Sequence, residues 1–485
     1  MDSLQIITKT LIQKMKPKNK IVFIFILISI SIKSFSQNDK TIELTQDDFL
    51  KMVRTFHPIA KQADLILKNA NANKQAANGG FDPKLFYDTR NKFYDNTNYY
   101  NSSVGGLVIP TWYGVDFKLG YENNNGAFLN PENKLPSQGL LYSQISLPIL
   151  QGLIIDERRA TLKKAILFEK MSEFEKSNLL NELMYNAGKT YWNWQIAYSN
   201  FQVFKSSITI AQERFNAVKK TAELGDRPFI DTVEANIQLQ ERFLSYQQSQ
   251  LEYQTQSLLL SNYLWMEKNI PLELSEKTIP ESKSSANTTN YDVANNDESI
   301  FENQIKNHPV LKIYQYKLQQ LEIEKKVKQD KLKPSLNLNY NPLFNPNNIN
   351  FAPPLNNKWG LSFAFPLFLR KERGELKMAK IKIQNTQYEN NNKQTEIVNK
   401  TKSIYIEFKS LIKQFDLYES TVKNYEKLWL AEKTMFDSGE SSLFIINSRE
   451  MSYINSQLKL NELYIKKKKA ALELNYSLGI LNTTY

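Results

Sequence analysis

The chain contains no cysteine, which excludes disulfides, thiolate metal sites, cysteine nucleophiles and a lipidated cysteine. Histidine is almost absent too, with 2 in 485 residues, so imidazole catalysis or metal ligation has little raw material. Glycine-rich phosphate loops, nucleophile–base constellations and metal-ligand spacings are missing as well. The sequence therefore predicts no enzyme, no cofactor and no metal. Long apolar runs are equally scarce. The one clear run, from Ile21 to Ile32, follows Lys14, Lys16, Lys18 and Lys20 and precedes Ser34-Phe35-Ser36. A basic region, an apolar stretch and a small-x-small site make residues 1–36 a secretory signal, with Met15 as an alternative start. A membrane-spanning helix needs roughly 20 apolar residues. The mature chain is thus expected either to be soluble or to cross a membrane as β-structure.

Charge adds little. The formal charge is +12, and six Lys and one Asp within residues 1–36 carry five of it, leaving seven. An excess spread this thinly predicts no nucleic-acid partner. The run Lys466–Lys469 falls within a helical pattern and reads as a solvated face.

What the chain does have is a duplication. His57-Pro58-Ile59 recurs as His308-Pro309-Val310, Ile145-Ser146-Leu147-Pro148 as Phe363-Ala364-Phe365-Pro366, and Gly225-Asp226-Arg227-Pro228 as Gly439-Glu440-Ser441-Ser442. The offsets fall from 251 to 218 to 214. The first half therefore holds a longer strand region and a slightly longer helix after it. Internal similarity of this kind marks a repeat architecture. We divide the chain into the signal 1–36, a first repeat 37–280, a polar linker 281–299 and a second repeat 300–485. Each repeat reads as helix, strands, very long helix, turn, helix.

In the long helices Leu180, Met184, Ala187, Tyr191, Trp194, Tyr198, Phe201, Lys205 and Ile208 alternate steps of four and three. Ile404, Phe408, Leu411, Phe415, Tyr418, Val422, Tyr425 and Trp429 do the same. A period of 3.5 residues is a coiled-coil seam. The last helix carries two stripes, one through Leu460, Tyr464, Lys467, Ala471, Leu474, Leu478 and Leu481, the other through Met451, Ile454, Leu458, Ile465 and Leu472. Two stripes imply two neighbours. No proline interrupts 151–222 or 370–437, and at 1.5 Å per residue each helix would run on the order of 100 Å.

Strand segments alternate. Ser335, Asn337, Asn339 and Asn341 share one face against Leu336, Leu338 and Tyr340; Leu361, Phe363 and Phe365 oppose Ser362 and Ala364; Ile145 and Leu147 oppose Gln144 and Ser146. Apolar-out, polar-in strands are the pattern of a transmembrane β-barrel, although a two-faced soluble sheet shares it strand by strand. Tyr94, Tyr99, Tyr100, Trp112, Tyr113, Tyr121, Tyr142 and Trp359 suit an interfacial girdle. Each half leaves and re-enters helix on one side, so its crossings are even in number. Two per half gives four strands per chain, too few to close a wall, and an open edge in lipid strands backbone groups. Residues 104–122 suggest a further strand or hairpin, read here as an extracellular excursion.

These features together resemble the TolC family of outer-membrane efflux proteins over residues 40–485. The resemblance rests on the duplicated His-Pro helix starts, the strand-end prolines Pro148 and Pro366, and the two helix-turn-helix tips, most specifically Gly439-Glu440-Ser441-Ser442-Leu443-Phe444. It implies a mostly α fold with transmembrane β: a homotrimer whose long coiled-coil helices form an α-barrel below a shared 12-stranded β-barrel. It also implies an outer-membrane location among lipid, a long periplasmic portion, and a role as exit duct. The partners implied are a periplasmic membrane-fusion adaptor and an inner-membrane transporter of RND or ABC type, in efflux or type I secretion. The two tips, Gly225, Asp226, Arg227 and Pro228 with Gly439, Glu440, Ser441 and Ser442, become the adaptor contacts. Asp231, Glu432 and Asp437 beside them are candidates for an acidic entrance ring, or plain exposed helix charge. Asn337 and Asn339 are candidates for the barrel lumen. His57 and His308 each precede a proline and read as helix starts rather than ligands. The competing reading is a periplasmic coiled-coil scaffold without channel activity.

Overall fold

The structure is a computed structural model describing residues 41–282, 298–347 and 356–484. The signal segment and residues 283–297 of the 281–299 linker lie outside the described residues, and a helix begins at Glu298, within the linker's last two residues. The first half opens with β1 (Ile42–Leu44), α1 (Gln46–Phe56) and α2 (Pro58–Asn78). Four strands follow, β2 (Lys84–Tyr94), β3 (Thr97–Pro110), β4 (Asp116–Asn125) and β5 (Leu140–Pro148). Then come α3 (Glu157–Glu223) and α4 (Phe229–Ser261), and the short β6 (Trp265–Met266), β7 (Ile270–Pro271) and β8 (Thr278–Pro280). The second half has α5 (Glu298–Lys306), α6 (Pro309–Asp330), β9 (Ser335–Phe344), β10 (Asn357–Ala364), α7 (Arg370–Asp437), α8 (Leu443–Ser477) and α9 (Leu481–Thr484).

The helix starts repeat in atomic detail. His57 Nδ1 accepts a hydrogen bond from the Ile59 amide at 3.2 Å, and His308 Nδ1 accepts from the Val310 amide at 3.2 Å. Each imidazole satisfies an amide that a helix start leaves without an intrahelical partner, ahead of a proline that fixes φ. The histidines are caps.

Helices α3 and α7 contain 67 and 68 residues, each about 100 Å long. In α3 the seam residues Leu180, Met184, Ala187, Tyr191 and Trp194 are buried, against Phe49, Leu50 and Val53 of α1 and Ile465 and Leu472 of α8. In α7, Phe408 and Leu411 pack on Leu463 and Ala470 of α8. Helix α8 thus has two neighbours, α3 and α7, as its two stripes predict. Gly188 of α3 lets α8 approach: a Cβ there would sit 2.7 Å from Leu472 Cδ2. The lysine run is corrected. Lys466 alone is largely exposed, paired with Glu462 at 2.7 Å. Lys467 lies over the Phe415 ring at 3.9 Å, Lys468 is buried over Trp192 at 5.6 Å, and Lys469 donates to Asn193 Oδ1. The charges of Lys467 and Lys468 stay near ring faces, and burial lowers the pKa values of Lys467, Lys468 and Lys469.

One antiparallel sheet of six strands, in the order β10-β9-β5-β4-β3-β2, caps one end of the helices. The sheet holds the four strands expected to cross and, in β3 and β4, two more. Residues 104–122 form the second half of β3, most of β4 and the turn between them. That turn does not project away from the helices but returns to them. Trp112 stacks on Phe81 with centroids 4.1 Å apart, and Asp116 pairs with Arg158 of α3 at 2.8 Å. The longer strand region of the first repeat is one extra full-length hairpin.

Candidate functional site

The sheet is two-faced across its whole width. Cross-strand register places Trp359, Tyr340, Ile145, Phe117 and Ile109 in one row, and Leu119, Leu107 and Leu85 in another two residues on. Leu336, Leu338, Leu361, Phe363, Tyr121 and Tyr87 share that face. In a pleated strand side chains alternate, so the opposite face carries Asp88, Arg90, Lys118, Glu122, Asn124, Gln144, Ser146, Asn337, Asn339, Asn341 and Ser362. Gln144 Nε2 donates to Asn339 Oδ1 at 3.3 Å, and Ser102 Oγ to Asn124 Oδ1 at 2.6 Å. Asn337 and Asn339 thus lie on the polar face of the sheet. Tyr142 of the aromatic girdle is corrected: it lies on this polar side, buried across Gly120. Apolar side chains on the other face, Leu85, Tyr87, Phe117, Leu119, Trp359, Leu361 and Phe363, are exposed. They form a contiguous patch of the kind that marks a lipid or protein contact. Where sheet meets helix, Trp112, Tyr113, Ile154, Leu367 and Phe368 add an exposed apolar rim. Among the described residues no helix is long and apolar enough to cross a membrane.

At the far end of the helices sit the two tips, built alike. Gly225 has φ +86° and Gly439 φ +77°. After each, an amide reaches back five residues, Asp226 to the Thr221 carbonyl at 3.0 Å and Glu440 to the Met435 carbonyl at 2.8 Å. This is the glycine-terminated Schellman cap. Both glycines face open space, and Asp226, Pro228, Glu440 and Ser442 are exposed. Arg227 is folded back over the Phe436 ring at 4.4 Å and toward Asp231 at 3.9 Å. The structure does not bring the three neighbouring acids together. Asp231 faces Arg227; Glu432 accepts a hydrogen bond from Ser441 and lies 4.0 Å from Arg449; Asp437 is exposed. The two tips do meet each other, since Val218, Ala235, Phe436, Leu443 and Ile446 form one small core.

Sequence patterning missed a buried ionic cluster behind the tips. Glu450 of α8, 2% exposed, pairs with Arg214 of α3 and lies 3.8 Å from Arg242 of α4. Arg214 also donates to Asn447 Oδ1 at 2.8 Å. Burial lowers the Arg242 pKa and Glu450 opposes that shift. The advance signal is slight: Arg242 falls at seven-residue spacing between Ala235 and Ser249, and Glu450 between Ile446 and Ile454. Among the described residues no His, Cys, Asp and Glu cluster could hold a metal ion.

Neither a protein-family model nor a curated protein matches the sequence. Solved structures do. The CmeC outer membrane channel of Campylobacter jejuni superposes with TM-score 0.61 at 15% identity, covering 90% of this chain and 85% of that one. The outer membrane protein VceC of Vibrio cholerae gives 0.61 at 13%, covering 90% and 96%. The MtrE outer membrane channel of Neisseria gonorrhoeae gives 0.63 at 11%, covering 91% and 93%. This chain has the fold of the bacterial outer-membrane channels.

Proposed function

We propose that the protein is an outer-membrane exit duct of an efflux or type I secretion assembly, acting as a homotrimer. One observation carries this reading. A single sheet is apolar on one face and polar on the other, has both edges unpaired among the described residues, and stands on helices of about 100 Å that meet one end of it. Six strands fall short of the eight of the smallest barrels, and an open edge in hydrocarbon leaves backbone groups unsatisfied. Copies must share one wall.

The helices support the same conclusion. On α4, Ile230, Ile237, Leu244, Leu251 and Leu258 repeat every seven residues and are 48–68% exposed. Their repeat equivalents on α8, 214 residues on, are Phe444, Met451, Leu458, Ile465 and Leu472. Ile465 and Leu472 of that stripe are buried against α3. By the internal repeat, the α4 stripe fits α7 of a neighbouring copy, which closes the helices into a tube. The tips at its inner end would meet the adaptor and transporter. Asp437, the exposed one of the three acids, would line the mouth three times over and favour cations.

Reconstitution of the purified protein into planar bilayers tests this. A detergent-requiring trimer with stepwise conductance is expected, with divalent block weakened in Asp437→Ala. A water-soluble monomer without conductance or β-signal would leave the periplasmic scaffold as the correct reading. For the tips, Gly225→Val with Gly439→Val places β-branched residues at positive φ, costing about 1–2 kcal/mol each. Efflux should be lost while trimer levels persist; wild-type efflux would remove the tips from the adaptor contact.

A further inference from the structure

Among the described residues the hairpin β3–β4 has no counterpart in the second half, where β9 and β10 link α6 to α7. We infer that this hairpin crosses the membrane as part of the wall, so that each chain supplies six transmembrane strands. The inference rests on the channel reading above. A wall shared by three copies of six then has 18 strands, where the family resemblance implies 12.

Three observations place the hairpin inside the wall. Its strands have 14 and 10 residues, and a tilted strand crosses a bilayer in about 9–11. They run the full height of the sheet, from the stack of Trp112 on Phe81 at the helix end to the row Asn91, Asn101 and Asn125 toward the other.

The faces of β4 are the most sharply divided in the sheet. Phe117 and Tyr121 continue apolar rows of β5 and β9, and Leu119 a row through Leu107 and Leu85, while Asp116, Lys118, Glu122 and Asn124 continue the polar face. An excursion in water would leave that apolar face without a partner.

Both flanks are also fastened. Tyr87 of β2 lies across Gly105, where a Cβ would be 3.1 Å from its ring, and Tyr142 of β5 lies across Gly120, where a Cβ would be 2.7 Å away. Gly106 approaches the Leu119 backbone so closely that a Cβ would stand 2.2 Å from its carbonyl oxygen. Glycines at successive positions under neighbouring aromatics are how curved sheets and barrels bend without losing contact. Lys118, between the rings of Phe86 at 4.2 Å and Tyr142 at 5.6 Å, ties β4 to both sides on the polar face. The added strands therefore belong to one curved surface with β2, β5, β9 and β10. Because barrel diameter grows roughly linearly with strand number, the wall is about half as wide again as a 12-stranded one. Barrels of 16–18 strands already leave an aqueous channel, so the size limit on solutes falls to the helical tips.

The absence of cysteine makes single-cysteine variants of the full chain unambiguous reporters. Phe117→Cys and Leu119→Cys report the apolar face of the hairpin, Lys118→Cys and Glu122→Cys its polar face, and Leu338→Cys and Leu361→Cys the strands that need no new inference. Each is labelled with a thiol-reactive fluorophore and reconstituted into phosphatidylcholine vesicles containing brominated lipid, with iodide as the aqueous quencher. The expected result is lipid quenching at 117 and 119 equal to that at 338 and 361, with iodide quenching at 118 and 122. Iodide quenching at 117 and 119 beside lipid quenching at 338 and 361 would put the hairpin outside the membrane and overturn the 18-stranded wall alone. Loss of lipid quenching at 338 and 361 as well would overturn the channel reading itself.

Discussion

At the scale of single residues, the histidines matter by staying neutral. Burial, and secondarily Lys393, lowers the His308 pKa from 6.5 to about 4, and burial lowers that of His57. A protonated Nδ1 could no longer accept the capping amide, so the two requirements agree. The sign follows by linkage. Above pH 6.5 folded and unfolded chains both hold neutral imidazole, and this stabilisation is complete. As the pH falls from 6.5 toward about 4, the unfolded chain binds a proton that folded His308 refuses, and stability drops. The variant His308→Asn keeps a capping side chain without titrating in that window. Thermal unfolding in detergent should show the wild type losing more of its midpoint between pH 7.5 and 5 than the variant. Equal losses would show that the imidazole does not contribute to the slope. The sequence located both caps because a His-Pro pair at a helix start is a local signal. The same reading took Lys467 and Lys468 for part of a solvated face, although Lys467 also falls in a stripe of the last helix, because their burial depends on the rings of Phe415 and Trp192 in other helices.

Among elements, the most consequential is α4, whose inner side meets α3 and whose heptad stripe is exposed. Five large aliphatics at seven-residue spacing form a seam competent to pair with a second helix. Replacing Leu244 and Leu251 with Glu should leave the protomer's own core intact, since neither belongs to it, but place charge in the middle of the inter-copy seam. Native gels should show the trimer band lost and a monomer of unchanged helical content by circular dichroism. A persistent trimer would mean that the stripe faces water or lipid and that copies join elsewhere. Elements were also where the sequence was most legible. The 3.5-residue period and the lack of proline set α7 to Arg370–Asp437 and α3 to within six residues of its observed start. The discrepancy at α3 has a cause. Residues 151–156 form a turn around Gly152 at φ +87°, fixed by its amide donating to Asp330 Oδ2 at 2.6 Å, a contact between halves that no local pattern reveals. The hairpin β3–β4 was legible only in part, because Gly105, Gly106 and Gly120 interrupt the alternation that makes a strand recognisable.

For the whole molecule, the duplication has not produced two domains. Strand β5 of the first half pairs with β9 of the second along the middle of the sheet. The largest core joins Leu180, Met184, Tyr191 and Trp194 of α3 to Tyr464, Ile465 and Leu472 of α8 and Leu481 of α9. Asn181 binds across the same seam twice, donating to the Tyr476 carbonyl at 3.0 Å and accepting from the Leu481 amide at 2.9 Å. Each half alone would expose both a strand edge and half of a core, which a marginally stable protein cannot sustain. Covalent continuity between the halves is a weaker requirement, because joining ends over a long connection contributes only a loop-closure entropy that varies slowly with length. A chain opened between Ser282 and Glu298, with each fragment carrying its own export signal, separates these two demands. Co-exported fragments should assemble into the same trimer on native gels, with β-signal in circular dichroism and stepwise conductance, while fragment 37–282 exported alone should fail to accumulate. A first-half fragment that folds and inserts unaided would mean that the β5–β9 ladder and the α3–α8 core are dispensable, and that the repeats are two units sharing a chain rather than one interlocked wall.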